Sequence, residues 1–158
     1  VRQEVRQELR QGNAVVGDPA AEEVGASGER KLRVLVAEDN PINQMLMRRI
    51  LESIGCEVVL AVDGNEASKF AVAGDFDLIL MDCQMPLMDG YDATRAIRAW
   101  EAKENRRATP IVAVTANAIA ESRSNCLEAG MDEYISKPIS KQLMTEIVTR
   151  FALEQDAS

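Results

Sequence analysis

From Lys31 onward, short continuous apolar runs alternate with amphipathic stretches. "LRVLVAED" is a β-branched run. It is followed by "PINQMLMRRILESIG", in which Asn40 is a candidate N-cap, Pro41 occupies the first helical position and Gly55 the C-terminal cap. "CEVVLAV" predicts a second strand. "DGNEASKFAVAG" predicts a helix, with Asp63 and Glu66 spaced as a capping box. "DLILM" predicts the third strand, Gly90 to about Lys103 a helix, and "PIVAVT" the fourth strand. "ANAIAESRSNCLEAG" predicts a helix stopped at Gly130, "EYIS" a short fifth strand, and "SKQLMTEIVTRFALEQ" a last amphipathic helix. The strands are apolar throughout rather than alternating in polarity, as in a parallel sheet covered on both faces. The pattern predicts a doubly wound α/β domain with right-handed crossovers. In the first helix, at about 100° per residue, Leu46, Met47, Ile50, Leu51 and Ile54 fall in one arc expected to face the sheet. Ile42 and Met45 fall beyond its edge, beside Arg48, Arg49 and Glu52.

In such a fold the chemistry lies beyond the carboxyl ends of the strands, where strand order reverses. Those ends carry Glu38-Asp39, Asp82, Thr115 and, after the fifth strand, Lys137-Pro138. Asp63-Gly64, after the second, already serves as a helix cap. If the first and third strands are neighbours, three carboxylates converge beside one hydroxyl and one ammonium. Clustered carboxylates repel one another, and a hard divalent cation resolves the conflict. Mg²⁺ takes a few protein oxygens and keeps several waters, leaving places for phosphate oxygens. Asp82 at the tip of a buried strand is then a rigidly mounted nucleophile toward phosphorus.

Composition narrows the alternatives. The chain has 158 residues, enough for one domain and an appendage, and is 46% hydrophobic and 28% charged. A net charge of −8 argues against nucleic acid or anionic membrane as partner. No apolar run approaches the ~18 residues of a membrane helix, and no signal peptide is present. Cys56, Cys83 and Cys126 form neither a disulfide framework nor a zinc-type pair, and read as reduced core residues. With no histidine in the chain, a His-based triad, a His metal site and a phosphohistidine are excluded within it. Residues 1–30 read differently: "VRQEVRQELRQ" is a short helical stub, and "GNAVVGDPAAEEVGASGER" has the composition of a mobile linker. The stub is alternatively the end of a preceding domain's helix. The first residue is Val1, which suggests a fragment of a longer protein or a processed one. The domain is expected to span residues 31–154, with 155–158 a tail.

"VLVAEDN", "LILMDCQMPLMDG", "PIVAVTAN" and "SKP" together resemble the receiver domain of two-component response regulators, from about Leu32 to Phe151. The wording "AEDNPINQ", "DCQMPLMDGYDATRAIR" and "TANAIAES…CLEAGMDEYISKPI" is most similar to receivers attached to hybrid sensor histidine kinases. The resemblance implies a flavodoxin-like five-stranded sheet of order 2-1-3-4-5. It implies that Asp82 takes a phosphoryl group from a partner's phosphohistidine. Glu38, Asp39 and Asp82 would form the acidic pocket, with Mg²⁺ or Mn²⁺ on Asp39, Asp82 and the Gln84 carbonyl. Lys137 would meet the phosphate, and Thr115 and Tyr134 would be the switch pair. Gln84 and Asn117 occupy positions that tune phosphate lifetime in the family, and the small Ala116 leaves access for water. A cis peptide is expected at Lys137-Pro138. The implied partners are a histidine kinase core or a histidine phosphotransfer protein, docking on Ile42 and Met45 with Ile139 completing the patch. The implied location is cytoplasmic, including as the cytoplasmic part of a membrane-bound sensor kinase. The implied activity is self-directed phosphoryl transfer and autodephosphorylation.

Rival readings rest on other loops. A phosphohydrolase with an aspartyl nucleophile resembles an Asp-x-Asp loop, whereas Gln84 stands two residues after Asp82. A flavin or nucleotide binder needs a phosphate-cradling loop after the first strand, where this chain has "EDNP". A pure interaction module would not be labelled by a small phosphodonor.

Overall fold

A computed structural model describes residues 31–116 and 123–156, the last five of these as backbone only. The expected stub and linker at 1–30, the start of the helix after the fourth strand, and Asn117 lie outside the described residues. Five strands, β1 (Leu32–Ala37), β2 (Cys56–Ala61), β3 (Leu78–Asp82), β4 (Ile111–Thr115) and β5 (Glu133–Ser136), alternate with helices. The helices are α1 (Pro41–Ser53), α2 (Gly64–Ala73), α3 (Gly90–Lys103), α4 (Arg123–Ala129) and α5 (Lys141–Asp156). All strand pairs are parallel and their order is β2-β1-β3-β4-β5. Helix α5 takes in residues 155 and 156, which the sequence pattern assigns to a tail.

The strand pleat sorts the core into two layers. Leu35, Ala37, Ile79, Met81, Ile111 and Ala113 face one side, where Ala67 and Ala71 of α2, Ala93 and Ile97 of α3 and Cys126 of α4 pack. Val34, Val36, Leu78, Leu80, Val112 and Val114 face the other, against Met47 and Leu51 of α1 and Met144, Ile147 and Val148 of α5. Every residue of β3 and β4 is buried, which is why these strands read as unbroken apolar runs. The three cysteines are free and buried.

The predicted caps form. Asn40 Oδ1 accepts from the N–H groups of Ile42 and Asn43. Asp63 Oδ1 accepts from Glu66 N, while Glu66 Oε1 reaches back to Val62 N, one residue before the N-cap. One helical expectation needs correcting: Leu46 does not face the sheet and is 45% exposed. Met47 and Leu51 are the buried pair, so they centre the contact. Leu46 lies about 100° round the helix from Met47 and looks outward.

Far from the acidic end, α3 is fastened to the start of β4 and to the α4–β5 loop by one guanidinium. Arg98 Nη1 donates to Glu101 Oε1 and to the Thr109 carbonyl, each at 2.8 Å. Its Nε donates to the Gly130 carbonyl at 2.9 Å and its Nη2 to Asp132 Oδ2 at 3.0 Å. Glu101 Oε2 and Asp132 Oδ2 in turn accept from Thr109 N and Ile111 N.

Candidate functional site

The parallel order puts β1 between β2 and β3, so the carboxyl ends of β1 and β3 are adjacent and their crossovers leave on opposite faces of the sheet. Ala37 pairs with Met81, so Glu38 and Asp82 follow at the same level. One carboxylate oxygen from each of Glu38, Asp39 and Asp82 lies within 4.8 Å of the others. Glu38 and Asp82 are buried, at 1% and 5% exposure, while Asp39 is exposed. Lys137 Nζ sits between the buried pair, 2.8 Å from Glu38 Oε2 and 3.3 Å from Asp82 Oδ2. The expected Lys137-Pro138 peptide is cis.

Asp82 Oδ1 accepts the Gln84 N–H at 3.1 Å. Burial, and next the Glu38 charge, push its carboxyl up to about 6; the Gln84 N–H and Lys137 pull the other way. Burial alone would lower the Lys137 ammonium, but its hydrogen bond to Glu38 and the charges of Asp82 and Glu38 together raise it. The pocket thus holds a carboxylate that ionises reluctantly without a cation, and an ammonium that stays charged.

The loop carrying Asp82 into α3 is tied at both ends. Gly64 N donates to the Met88 carbonyl at 3.0 Å and Gly90 N to the Cys83 carbonyl at 3.1 Å. A Cβ on Gly90 would lie 2.2 Å from the backbone oxygen of Asp82. Gly90→Ala is therefore expected to displace the tip of β3 and to destabilise the domain by about 1–3 kcal/mol, as overpacking does. Urea unfolding measures this, and an unchanged midpoint would mean that the loop yields freely.

Thr115 ends β4, beside the Asp82–Val114 pair, and is 1% exposed. Tyr134 pairs with Ala113 in the register, so it shares a sheet face with Thr115 one pleat nearer the strand start. It is half-buried against the α2–α3–α4 layer. Gln84 and Ala116 are exposed.

On α1, Ile42 is 77% and Met45 56% exposed, and with Leu46 they form an apolar patch near the pocket. Ile139 does not complete that surface: it is 7% exposed and belongs to the α1–α5 core. It instead floors a groove of about 230 Å³ that Leu46, Met47, Ala116, Lys137 and Pro138 also line. The residue follows Pro138 into the turn before α5, where the chain heads inward.

Sequence reasoning missed the groups that hold Glu38. Asn40 N and Asn43 Nδ2 donate to its Oε1 at 3.2 and 3.3 Å, and Gln44 Nε2 donates to its backbone carbonyl. "NPINQ" gives no periodic signal for these contacts, because they depend on how tightly the chain turns between β1 and α1.

The sheet order and the carboxylates gathered at its switch point define a flavodoxin-like domain with an acidic pocket suited to a hard cation. Residues 34–149 match the response regulator receiver domain family, and the chain belongs to it. It is 50% identical over 123 residues to the sensor protein GacS of Pseudomonas syringae pv. syringae, covering 77% of this chain and 14% of that protein. It is 40% identical over 131 residues to hybrid signal transduction histidine kinase I of Dictyostelium discoideum, covering 80% and 8%. The chain therefore spans a small part of these curated relatives. Among solved structures it is similar to the receiver domain of sensor histidine kinase PA1611 from Pseudomonas aeruginosa PAO1, which has a magnesium ion coordinated in its active site cleft. That match has 43% identity and a TM-score of 0.70, covering 78% of this chain and 98% of that one. A second match is to the co-crystal structure of the Saccharomyces cerevisiae histidine phosphotransfer protein Ypd1 with the receiver domain of Ssk1. It has 30% identity and a TM-score of 0.74, covering 79% and 91%. No helix among the described residues is long and apolar enough to cross a membrane.

Proposed function

We propose that Asp82 is the phosphoryl acceptor of a phosphorelay, fed by a phosphohistidine on a kinase core or a histidine phosphotransfer protein. The observation that carries this is the buried Asp82 carboxylate facing the Lys137 ammonium at 3.3 Å, with Glu38 and Asp39 completing an acidic pocket. The donor histidine lies outside this chain, which has none. Glu38, Asp39, Asp82 and the Gln84 carbonyl would hold Mg²⁺ or Mn²⁺, and the three clustered carboxylates suit a hard cation. When bound, the ion neutralises charge on the phosphoryl oxygens.

An Asp82 oxygen attacks phosphorus in line, forming an O–P bond as the N–P bond breaks. The electron pair returns to the imidazole nitrogen, which takes up a proton. Lys137 then trades its contact with Asp82 for the incoming phosphoryl oxygens, and Thr115 supplies a hydroxyl donor. Two such charge-assisted bonds, at about 1.5–3 kcal/mol each, give roughly 3–6 kcal/mol. Moving a two-state equilibrium from about 1:99 to 99:1 takes ~5.5 kcal/mol. Thr115 and Tyr134, on one sheet face, form the switch. Thr115→Ala is expected to accept phosphate while losing most of the phosphorylation-induced amide shifts around Tyr134, read by NMR. Shifts as large as wild type would remove Thr115 from the switch.

Gln84 and Asn117 set the lifetime of the acyl phosphate. The domain spans residues 31–154 and works in the cytoplasm as the receiver of a hybrid histidine kinase. The direct test is incubation with acetyl phosphate and Mg²⁺. One phosphoryl group that neutral hydroxylamine removes is the expected product; no label, or a hydroxylamine-resistant one, would overturn the reading.

The partner helix docks on Ile42 and Met45, with Ile139 under the adjoining groove. Met45→Glu would bury a charge in that contact, and charges left unpaired at an interface are costly. Transfer from a phosphohistidine partner is expected to slow about tenfold or more, while labelling by acetyl phosphate stays near wild type. A parallel fall in both rates, or no change in either, would move the docking surface elsewhere.

A further inference from the structure

We infer that Asn43 is a positioning residue for the metal pocket: it fixes the direction of the Glu38 carboxylate, and through it the affinity for Mg²⁺. This rests on the receiver reading above. Glu38 is 1% exposed, and a buried carboxylate needs a donor at each oxygen. Oε2 has the Lys137 ammonium at 2.8 Å. Oε1 has Asn40 N at 3.2 Å and Asn43 Nδ2 at 3.3 Å. A carboxylate only accepts hydrogen bonds, so the Asn43 amide must turn its NH₂ toward Glu38.

The arrangement matters most once Asp82 is modified. Lys137 bridges Glu38 and Asp82, so once it trades Asp82 for a phosphoryl group its ammonium is shared between that group and Glu38. The donors on Oε1 then keep Glu38 aimed into the pocket. Of these, Asn40 N is backbone and fixed by the turn, and Asn43 is the side-chain donor. Asparagine is a poor helix former compared with alanine, and Asn43 sits in the first turn of α1. Asn43 also stands between the exposed Ile42 and Met45 in sequence, so the helix offered to a partner is bonded directly to the pocket.

The test is Asn43→Ala in the full chain, titrated with Mg²⁺ and followed by amide NMR shifts in the pocket and by melting temperature. Loss of a group that orients a metal ligand costs 10–100-fold in affinity, so half-saturation is expected about tenfold higher in Mg²⁺. Acetyl phosphate labelling should need correspondingly more Mg²⁺ but reach a plateau rate within about twofold of wild type, the split expected when only binding is lost. The metal-free melting temperature should barely move, since alanine favours the helix. Superimposable Mg²⁺ titrations of wild type and variant, with or without a lower metal-free melting temperature, would make Asn43 merely structural and overturn the inference. A wild type that binds no Mg²⁺ would instead bring down the proposed phosphoacceptor function and this inference with it.

Discussion

Asp82→Asn is expected to make the metal-free domain more stable, by about 1–3 kcal/mol at neutral pH, while abolishing its chemistry. Burial and the neighbouring Glu38 raise the Asp82 carboxyl from 3.8 to about 6. The folded state therefore holds this proton more tightly than the unfolded chain does. The stabilisation from the protonated form is fully present below pH 3.8 and is lost as pH rises through about 6. A shift of about two units corresponds to roughly 3 kcal/mol, and the amide removes most of that penalty while still accepting the Gln84 N–H. The two proteins should unfold alike near pH 4, and the variant should gain as pH rises toward 7. Mg²⁺ is expected to reverse the order, because binding to the folded state would stabilise the protein with the intact carboxylate cluster more. Urea titrations at several pH values, with EDTA or Mg²⁺, measure both effects. A variant less stable than wild type in EDTA at pH 7 would mean that Asp82 is not under electrostatic strain.

Arg98→Ala is expected to cost about 2–4 kcal/mol, because the guanidinium is partly buried and breaking a fully buried ion pair costs about 3–5. The guanidinium makes four hydrogen bonds to three segments. Its loss takes from Glu101, 4% exposed, the guanidinium that pairs with its carboxylate at 2.8 Å. Arg98→Lys should recover little, since an ammonium cannot span the same acceptors in a planar fork. Arg98→Ala combined with Glu101→Ala should be more stable than the sum of the single losses predicts, because the stranded charge is gone. Acetyl phosphate labelling of the folded fraction should be unaffected, as the network lies at the other end of the sheet. A loss under 1 kcal/mol for Arg98→Ala would show the network to be solvated.

The elements were readable because their signals are local. Asn40-Pro41, Asp63 with Glu66, and Gly55 mark helix ends by backbone chemistry, and the unbroken runs in β3 and β4 record burial on both faces. Strand ends then delivered Glu38, Asp39, Asp82, Thr115 and Lys137 as candidates. Leu46 and Ile139 were misjudged for a shared reason. Helical periodicity gives relative angles between residues, whereas the rotation of α1 on the sheet and the inward course of the β5–α5 turn are set by packing. The Arg98 network and the bracing of Glu38 by Asn43 and Gln44 join polar groups across turns, where no period exists to be read. Both became visible only through distances.

The proposed phosphorelay role requires Asp82 itself to accept the phosphoryl group. Peptide mass spectrometry of the wild type after incubation with acetyl phosphate and Mg²⁺ tests it most directly, with Asp82→Asn in parallel. One hydroxylamine-labile phosphoryl group per chain is expected, carried on the peptide containing Asp82, and none in the variant. A label elsewhere in the wild type, or an undiminished label in Asp82→Asn, would contradict it.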